Sequence, residues 1–383
     1  FSSIIPLIIF TIGGLFIINF SCFYMMRLDP AFAYLYNGLN IATGQWEIGH
    51  TDHPGTTMQL LVAFVIRLVY LFSGSENDIV RDVLENSEKY LTCVSFFINL
   101  LNSLAVFFLG YIVLKKTGKI LLAFIFQLCI PISHVMMEHL TALNPESIVI
   151  TSCVLMNAYF FLYIHESALS EKRIKKYVLI LSFLSAFFLV SKITSFPLLL
   201  IPLFLLGGYK NKLKYLLYTT LFAALLLAPA YNNLSSFFSF VGNIFSHDGI
   251  YGQGSSTFID TNAFIANLKN IFTGEISFTV IYLLLLLFFI AQTIFKKFVL
   301  NDLYKNLISG LFFAFTLSIL MVAKHYAYRY LIPAHCFLII ALYVMFLVIS
   351  PHIHFNKMPR KYSLCILPIF ILVVLLAEMK TMY

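Results

Sequence analysis

Charge is what this sequence has least of. Of its 383 residues only 11% are Asp, Glu, Lys or Arg, while 60% are hydrophobic and the mean hydropathy is +0.90. A soluble domain carries roughly 25% charged residues, so this scarcity excludes a water-soluble chain and makes lipid the solvent. Acids are rarer than bases, 17 against 25. The bases lie in short clusters between apolar runs, so a pI near 9.0 does not imply a nucleic-acid partner. Cysteine is sparse as well. Cys22, Cys93, Cys129, Cys153, Cys336 and Cys365 show no CxxC spacing and read as small buried hydrophobes rather than disulfide or metal ligands. No nucleotide-binding glycine motif, internal repeat or low-complexity linker is visible, and a single integral membrane domain over residues 1–383 suffices.

What is present is a series of long apolar runs. With no water in the bilayer core to satisfy the backbone, runs of about 20 residues must be helices. The sequence therefore predicts an all-α, polytopic membrane protein of about eleven spans. They fall near 4–24, 90–114, 120–134, 147–165, 177–192, 195–208, 215–231, 277–295, 307–323, 331–350 and 363–379. The first run is too long for a signal-peptide core and is read as a retained span.

Lys and Arg orient these spans. Five loops are basic, around Lys115–Lys119, Lys172–Lys176, Lys210–Lys214, Lys296–Lys305 and Lys357–Lys361, and together they hold sixteen of the 25 Lys and Arg. Alternating spans put all five on one side, which the positive-inside rule makes cytoplasmic. Only Glu166, Glu171 and Asp302 of the 17 acids share that side. The expected topology has the N-terminus in the cytoplasm and the polar chemistry on the outer face, most simply of a bacterial plasma membrane. Two long extracytoplasmic loops are expected, 25–89 and 232–276, and loops of that length usually carry function. Within the first, Met58 to Phe72 reads as an interfacial helix and Asp78 to Lys89 as a charged helical lead-in to the next span.

Polar residues gather on that outer face in a definite order. Asp29 follows the first span, before a short predicted helix from Ala31 to Thr43. Asp then Pro is a good helix start. Equally, a carboxylate there can act as general base, holding an acceptor hydroxyl and taking its proton. Asp52-His53-Pro54-Gly55 makes a turn by composition, and Asp52 and His53 can assist the reaction or orient a phosphate. His50, Asp52 and His53 are metal-ligand types crowded in sequence; a divalent metal is the lesser reading, and no cofactor is required. Lys192, in Ser191-Lys192-Ile193-Thr194, interrupts an apolar run, either snorkelling to the interface or holding a lipid phosphate. Lys324-His325-Tyr326-Ala327-Tyr328-Arg329-Tyr330 reads as an aromatic-cation belt or as a phosphate clamp in which Arg329 offers forked donors, Lys324 a point charge and Tyr328 a ring beside them. His247 and Tyr251 lie in a glycine-rich stretch suited to a flap over substrate. Glu138 and His139, in a further polar group with His134, Asn144 and Glu146, read either as residues lining the substrate cavity or as ordinary polar residues at the interface.

This order of motifs resembles the GT-C superfamily of membrane glycosyltransferases, in its protein mannosyltransferase and aminoarabinose transferase branch. In that branch the first outer loop carries an Asp-Glu pair and an Asp-His-Pro-Pro turn, matched here by Asp29-Pro30 and Asp52-His53-Pro54-Gly55. Pro30 replaces the second acid and Gly55 the second proline. Ser191-Lys192 is similar to a Thr-Lys pair in a comparable span, and Arg329-Tyr330-Leu331-Ile332-Pro333 to an Arg-Tyr-hydrophobic-Pro run in late spans.

The resemblance implies an inverting transfer of sugar from a polyprenyl-phosphate donor to a hydroxyl of a glycan, lipid or protein acceptor. Asp29 would be the base, and Lys192, Lys324 and Arg329 would hold the leaving phosphate. A polymerase or ligase of lipid-linked glycans shares this chemistry. A flippase or transporter stays a distinct alternative, although transporters typically carry repeats and midplane charges that this sequence lacks.

Overall fold

A computed structural model describes residues 2–19, 24, 31–51, 55–166, 170–249, 252–294 and 301–349. Asp29, Asp52, His53 and Tyr251, and the run expected at 363–379, lie outside these. Among the described residues the chain is all helical. The first half comprises α1 (Ile4–Asn19), α2 (Ala31–Ala42), α3 (Thr56–Ser73), α4 (Ile79–Glu85), α5 (Ser87–Thr117), α6 (Ile120–Gln127), α7 (His134–Glu138), α8 (Pro145–Ile164) and α9 (Glu171–Ser191). It continues with α10 (Leu200–Leu205), α11 (Tyr209–Leu226), α12 (Leu234–Ser246), α13 (Thr261–Gly274), α14 (Ile276–Ile294), α15 (Asp302–Lys324), α16 (Ile332–His335) and α17 (Leu338–Ile349). Short 3-10 turns occupy Ile193–Leu199, Ala228–Asn233 and Tyr328–Leu331.

Six of these helices (α3, α5, α8, α9, α14 and α15) are long and apolar enough to cross a membrane, and eight spans result if two bent pairs each count as one. The bent pairs are Tyr209–Leu226 with Ala228–Ser246, at 74°, and Tyr328–His335 with Leu338–Ile349, at 43°. These counts cover the described residues alone: the run at 363–379 lies outside them, the run at 4–24 is described as helix only over Ile4–Asn19, and two further runs are interrupted. The run at 120–134 is helical only to Gln127, and the run at 195–208 is split, with Pro197 inside a 3-10 turn ahead of α10. The stretch from Met58 to Phe72, read as interfacial, forms an 18-residue helix that passes the length and composition test for a span. The loop expected at 232–276 is largely filled by α12 and α13. The helix expected from Ala31 is α2, and the charged lead-in is α4, whose first turn is capped by Asp78 accepting from Val80 N and Arg81 N, each at 3.0 Å.

The core is built around α8, of whose apolar window 78% is buried. Two hydrophobic clusters meet along it. In the smaller, α2 and α3 pack on the start of α5 through Tyr34, Met58, Val62 and Tyr90, and Leu143 and Ile148 join them. The larger begins at Val149 and takes in α9, α15 and α17. Close approach of helices relies on glycine: a Cβ on Gly38 of α2 would sit 2.5 Å from Val62 of α3, and one on Gly13 of α1 the same distance from Asn99 of α5. Cys129, Cys153 and Cys336 are free and buried in this core, and Cys93 is free and half-buried.

Buried amides tie the helices where regular backbone stops. Asn102 Nδ2 donates to Leu140 O at 2.9 Å, in the turn between α7 and α8, while Thr151 Oγ1 donates to Asn102 Oδ1 at 2.6 Å. Asn157 Nδ2 donates to Cys336 O at 2.7 Å, at the break between α16 and α17. Each carbonyl would otherwise be an unsatisfied acceptor in an apolar interior, which membrane proteins avoid.

Helix directions give the bundle two polar ends. Glu146 in the first turn of α8 and Glu166 just past its end are separated by twenty residues, about 30 Å at helical rise, which is the thickness of a bilayer's hydrocarbon core. The ends of α5 and α8 and the starts of α9 and α11 gather at the Glu166 end with Lys116, Arg173 and Lys214. Three of the basic loops that the sequence assigned to one side are therefore together.

Asn102→Ala removes the donor to Leu140 O and the acceptor from Thr151. It is expected to cost about 1–2 kcal/mol, seen as a lower thermal midpoint in detergent than for the unmutated protein. An unchanged midpoint would mean these bonds carry no net stability.

Candidate functional site

At the other end of α8 a short polar sequence sets up a buried charge. Asn144 is the N-cap, its Oδ1 accepting from Ser147 N at 3.3 Å, and Pro145 occupies the first helical position. Glu146 is thereby placed in the first turn, where the helix dipole favours an anion. Its side chain is fully buried. Two cations meet it. Lys192, 1% exposed, follows the last turn of α9 in extended backbone and donates to Glu146 Oε1. Arg329, 6% exposed, comes from the turn Tyr328–Leu331, with Nε 3.7 Å from the same oxygen. Tyr330 lies alongside, 4.7 Å from Lys192 Nζ and 5.7 Å from the Arg329 guanidinium, as cation–π partners. His139 is buried, within electrostatic reach of Glu146, with Nδ1 2.9 Å from Val135 O and its ring edge-on to that of Tyr328 at 6.3 Å.

The first outer loop docks against this cluster. Gly55 takes a left-handed conformation, φ 67°, that favours glycine, and its N–H donates to Val190 O at 3.1 Å. Thr57 Oγ1 is 2.6 Å from Ser191 Oγ, the residue before Lys192. A Cβ on Gly55 would lie 3.8 Å from Pro145. Upstream, His50 Nε2 is 3.3 Å from Tyr34 Oη, and Gln59 Nε2 donates to His50 O at 2.7 Å. Thr56 Oγ1 bonds Leu226 O at 2.8 Å, and Asn233 Nδ2 donates to Ile48 O. The described residues either side of Asp52, His53 and Pro54 are thus pinned to α2, the end of α9 and the α11–α12 junction.

Beside Lys192 lies a mainly apolar cavity of about 80 Å³. Phe240, Val241, Ile244 and Phe245 of α12 form one wall and Met321 and Val322 of α15 the other, with Lys192, Thr194, His325 and Tyr330 adding polar atoms. The C-terminal turn of α12 is held by two side chains. Lys324 Nζ donates to Phe245 O at 2.7 Å and sits 4.6 Å from the Phe258 ring centroid, while His325 Nε2 is 3.0 Å from Ile244 O. Cations favour helix C-termini, as Lys324 does here, and burial pushes the His325 imidazole below its usual pKa.

The sequence-predicted site residues therefore separate. Lys192, Arg329 and His139 come together, with Tyr328, 44% exposed, at the edge of the group. Lys324, expected beside them, is engaged by the carbonyl end of α12. Glu138 is exposed, one residue from buried His139, because the short α7 turns it outward. His247 is the C-cap of α12, with Nδ1 2.9 Å from Ser246 Oγ. The carboxylate that organises the cluster is Glu146, which the sequence showed only as one acid among several. Its signal was Asn-Pro-Glu ahead of an apolar helix, which also reads as an ordinary helix start. A second buried pair also went unread: His335 Nε2 is 3.4 Å from Glu275 Oε2, with both groups buried and the imidazole stacked on Phe278 at 5.3 Å. Among the described residues no group of three or more His, Cys, Asp or Glu is arranged to hold a metal ion.

Fold and site together define an all-helical, polytopic membrane protein with a buried ionic cluster at one end of its bundle. Comparison with protein-family models, curated proteins and solved structures finds no match.

Glu146→Ala strands Lys192 and Arg329 beside a deleted partner and is expected to cost about 3–5 kcal/mol, read as a large fall in thermal midpoint. The pair Glu146→Gln/Lys192→Gln removes one charge of each sign and should regain most of that loss. A wild-type midpoint for Glu146→Ala would show that the three groups are not energetically coupled.

Proposed function

We propose that this chain is a membrane glycosyltransferase of the GT-C kind, which moves a sugar from a polyprenyl-phosphate donor to an acceptor hydroxyl on the extracytoplasmic face. The observation that carries this reading is the apolar cavity between α12 and α15 ending on Lys192 and Tyr330, next to the Glu146–Lys192–Arg329 cluster. Cations at the end of an apolar slot suit an amphiphile with a phosphate head. The wider topology belongs to the same proposal: eleven spans, the N-terminus in the cytoplasm and a place in a bacterial inner membrane.

In this reading the acceptor oxygen attacks the anomeric carbon as the bond from that carbon to the phosphate oxygen breaks, inverting the centre through an oxocarbenium-like state. The acceptor proton passes to Asp29. The electron pair leaves with the polyprenyl phosphate, whose charge Lys192 and Arg329 stabilise without reorganising, since Glu146 and the Tyr330 ring already orient them. Asp52 and His53 keep their assisting roles from the sequence, and the pinning of Gly55 and Thr57 beside Ser191 puts that loop's anchor next to the cations. The cavity is narrow, about 80 Å³, and a headgroup enters it by displacing α12. That helix is suited to move, having only Phe237 buried and a bend of 74° behind it.

The test is transfer in proteoliposomes with a polyprenyl-phosphate monosaccharide as donor. Asp29→Asn is expected to lower the rate about 100-fold or more with an unchanged thermal midpoint. Undiminished transfer by that variant removes Asp29 from the role. Use of an oligosaccharide-diphosphate lipid alone would assign a polymerase or ligase instead. Movement of the lipid across the bilayer with no transfer would assign a flippase.

A further inference from the structure

A second organised feature takes no part in the chemistry above and runs from the middle of the bundle toward its Glu166 end. On the flank of α5, α8, α9 and α11 an apolar groove of about 510 Å³ lies between the helices. Phe108 and Tyr159 form one wall with ring centroids 6.3 Å apart, and Phe183 and Phe222 meet edge to face at 5.5 Å on the other. The rim is open to the surroundings of the bundle, with Leu179 47% and Phe183 42% exposed. In a membrane-spanning bundle, those surroundings are lipid chains.

The helices that line the groove carry cations on the same faces, nearer the basic end. Lys115 stands seven residues after Phe108, Lys176 four before Ile180 and seven before Phe183, and Lys214 eight before Phe222. Those intervals return to one face of a helix and set the ammonium-bearing residues about 6–12 Å beyond the groove along the axis. That is the offset between the outer part of an acyl chain and its phosphate.

The acids at the mouth are already engaged. Glu166 is bound by Arg173, has Lys116 at 3.9 Å and accepts from Tyr177 Oη at 3.2 Å, and Glu171 holds Lys175 at 2.9 Å. Lys115, Lys176 and Lys214, with Lys119 and Lys172 in the same basic clusters of the sequence, leave the mouth with a surplus of positive charge. An apolar groove alone would accept any lipid chain. A groove capped by cations selects a headgroup of net negative charge, at roughly fivefold per lysine near the surface.

We propose that this groove is a binding site for a two-chain anionic phospholipid, its chains against Phe108, Tyr159 and Phe183 and its phosphate facing Lys115, Lys176 and Lys214. The site shares no residue with the Glu146 cluster and is independent of the glycosyltransferase reading.

The experiment is native mass spectrometry of the detergent-purified full chain after exposure to equal amounts of phosphatidylglycerol and phosphatidylcholine. The unmutated protein should retain phosphatidylglycerol in preference. Lys115→Gln/Lys176→Gln/Lys214→Gln, three changes at the polar mouth outside the core, should reduce that preference by roughly fivefold per lysine. Leu179→Trp, which fills the exposed rim, should reduce retention of both lipids. Thermal midpoints of both variants confirm that they fold. Equal retention of the two lipids by the unmutated protein overturns the proposal. So does a preference that survives the triple variant, or retention that Leu179→Trp leaves unchanged, since either marks lipid bound elsewhere on the belt.

Discussion

One carboxylate in a dry place governs the architecture. Glu146 sits in the seam between the two hydrophobic clusters, where an ion without partners would cost several kcal/mol, and its partners arrive from segments far apart in the chain. Lys192 and Arg329 can reach it only because regular helix ends near both. The turns Ile193–Leu199 and Tyr328–Leu331 take over within one residue of each cation. Irregular backbone in an apolar interior is tolerated where protein buries it or where it lines a cavity, and here it does both. The breaks in the bundle, the docking of the first loop on Ser191 and the cavity beside Tyr330 all follow from gathering these charges.

The sequence made the class plain and the assembly obscure. Apolar runs and scarce charge give an all-helical membrane protein without ambiguity, since the solvent permits little else. Helix starts were readable at α2 and α4, where Asp or Pro precedes the first turn. What failed to show was where a run of apolar residues stops being one helix. Pro197 inside 195–208 and the turns after Gln127 interrupt segments whose hydropathy is continuous. Hydropathy reports the solvent of a segment, not its hydrogen-bonding pattern.

The candidate site divides in the same way. Lys192 and Arg329 stood out because cations in apolar surroundings are conspicuous, and the structure brings them together. Glu146 did not stand out, because an acid after Asn-Pro is what any helix start looks like. Lys324 and Arg329, five residues apart and read as one clamp, face different partners because α15 ends between them. Lys324 remains on the helix and meets the carbonyls of α12, while Arg329 belongs to the following turn. Proximity in sequence was a poor guide at that point, and the boundary of a secondary element decided the outcome.

The two acids at the ends of α8 have a mechanical consequence. Glu146 is fastened to α9 and to the Arg329 turn, and Glu166 to α5 and the start of α9, so the most buried helix is clamped at both extremities. A free helix meets a bilayer of different thickness by tilting, at a cost of fractions of a kcal/mol per ångström. This one cannot tilt alone without breaking an ion pair, so its neighbours must move with it or the lipid must deform. The distance of about 30 Å between the clamps therefore works as a fixed gauge of hydrophobic thickness. Bilayers that match it should leave the bundle unstrained, while thinner or thicker ones would load their mismatch onto the ionic cluster at each end.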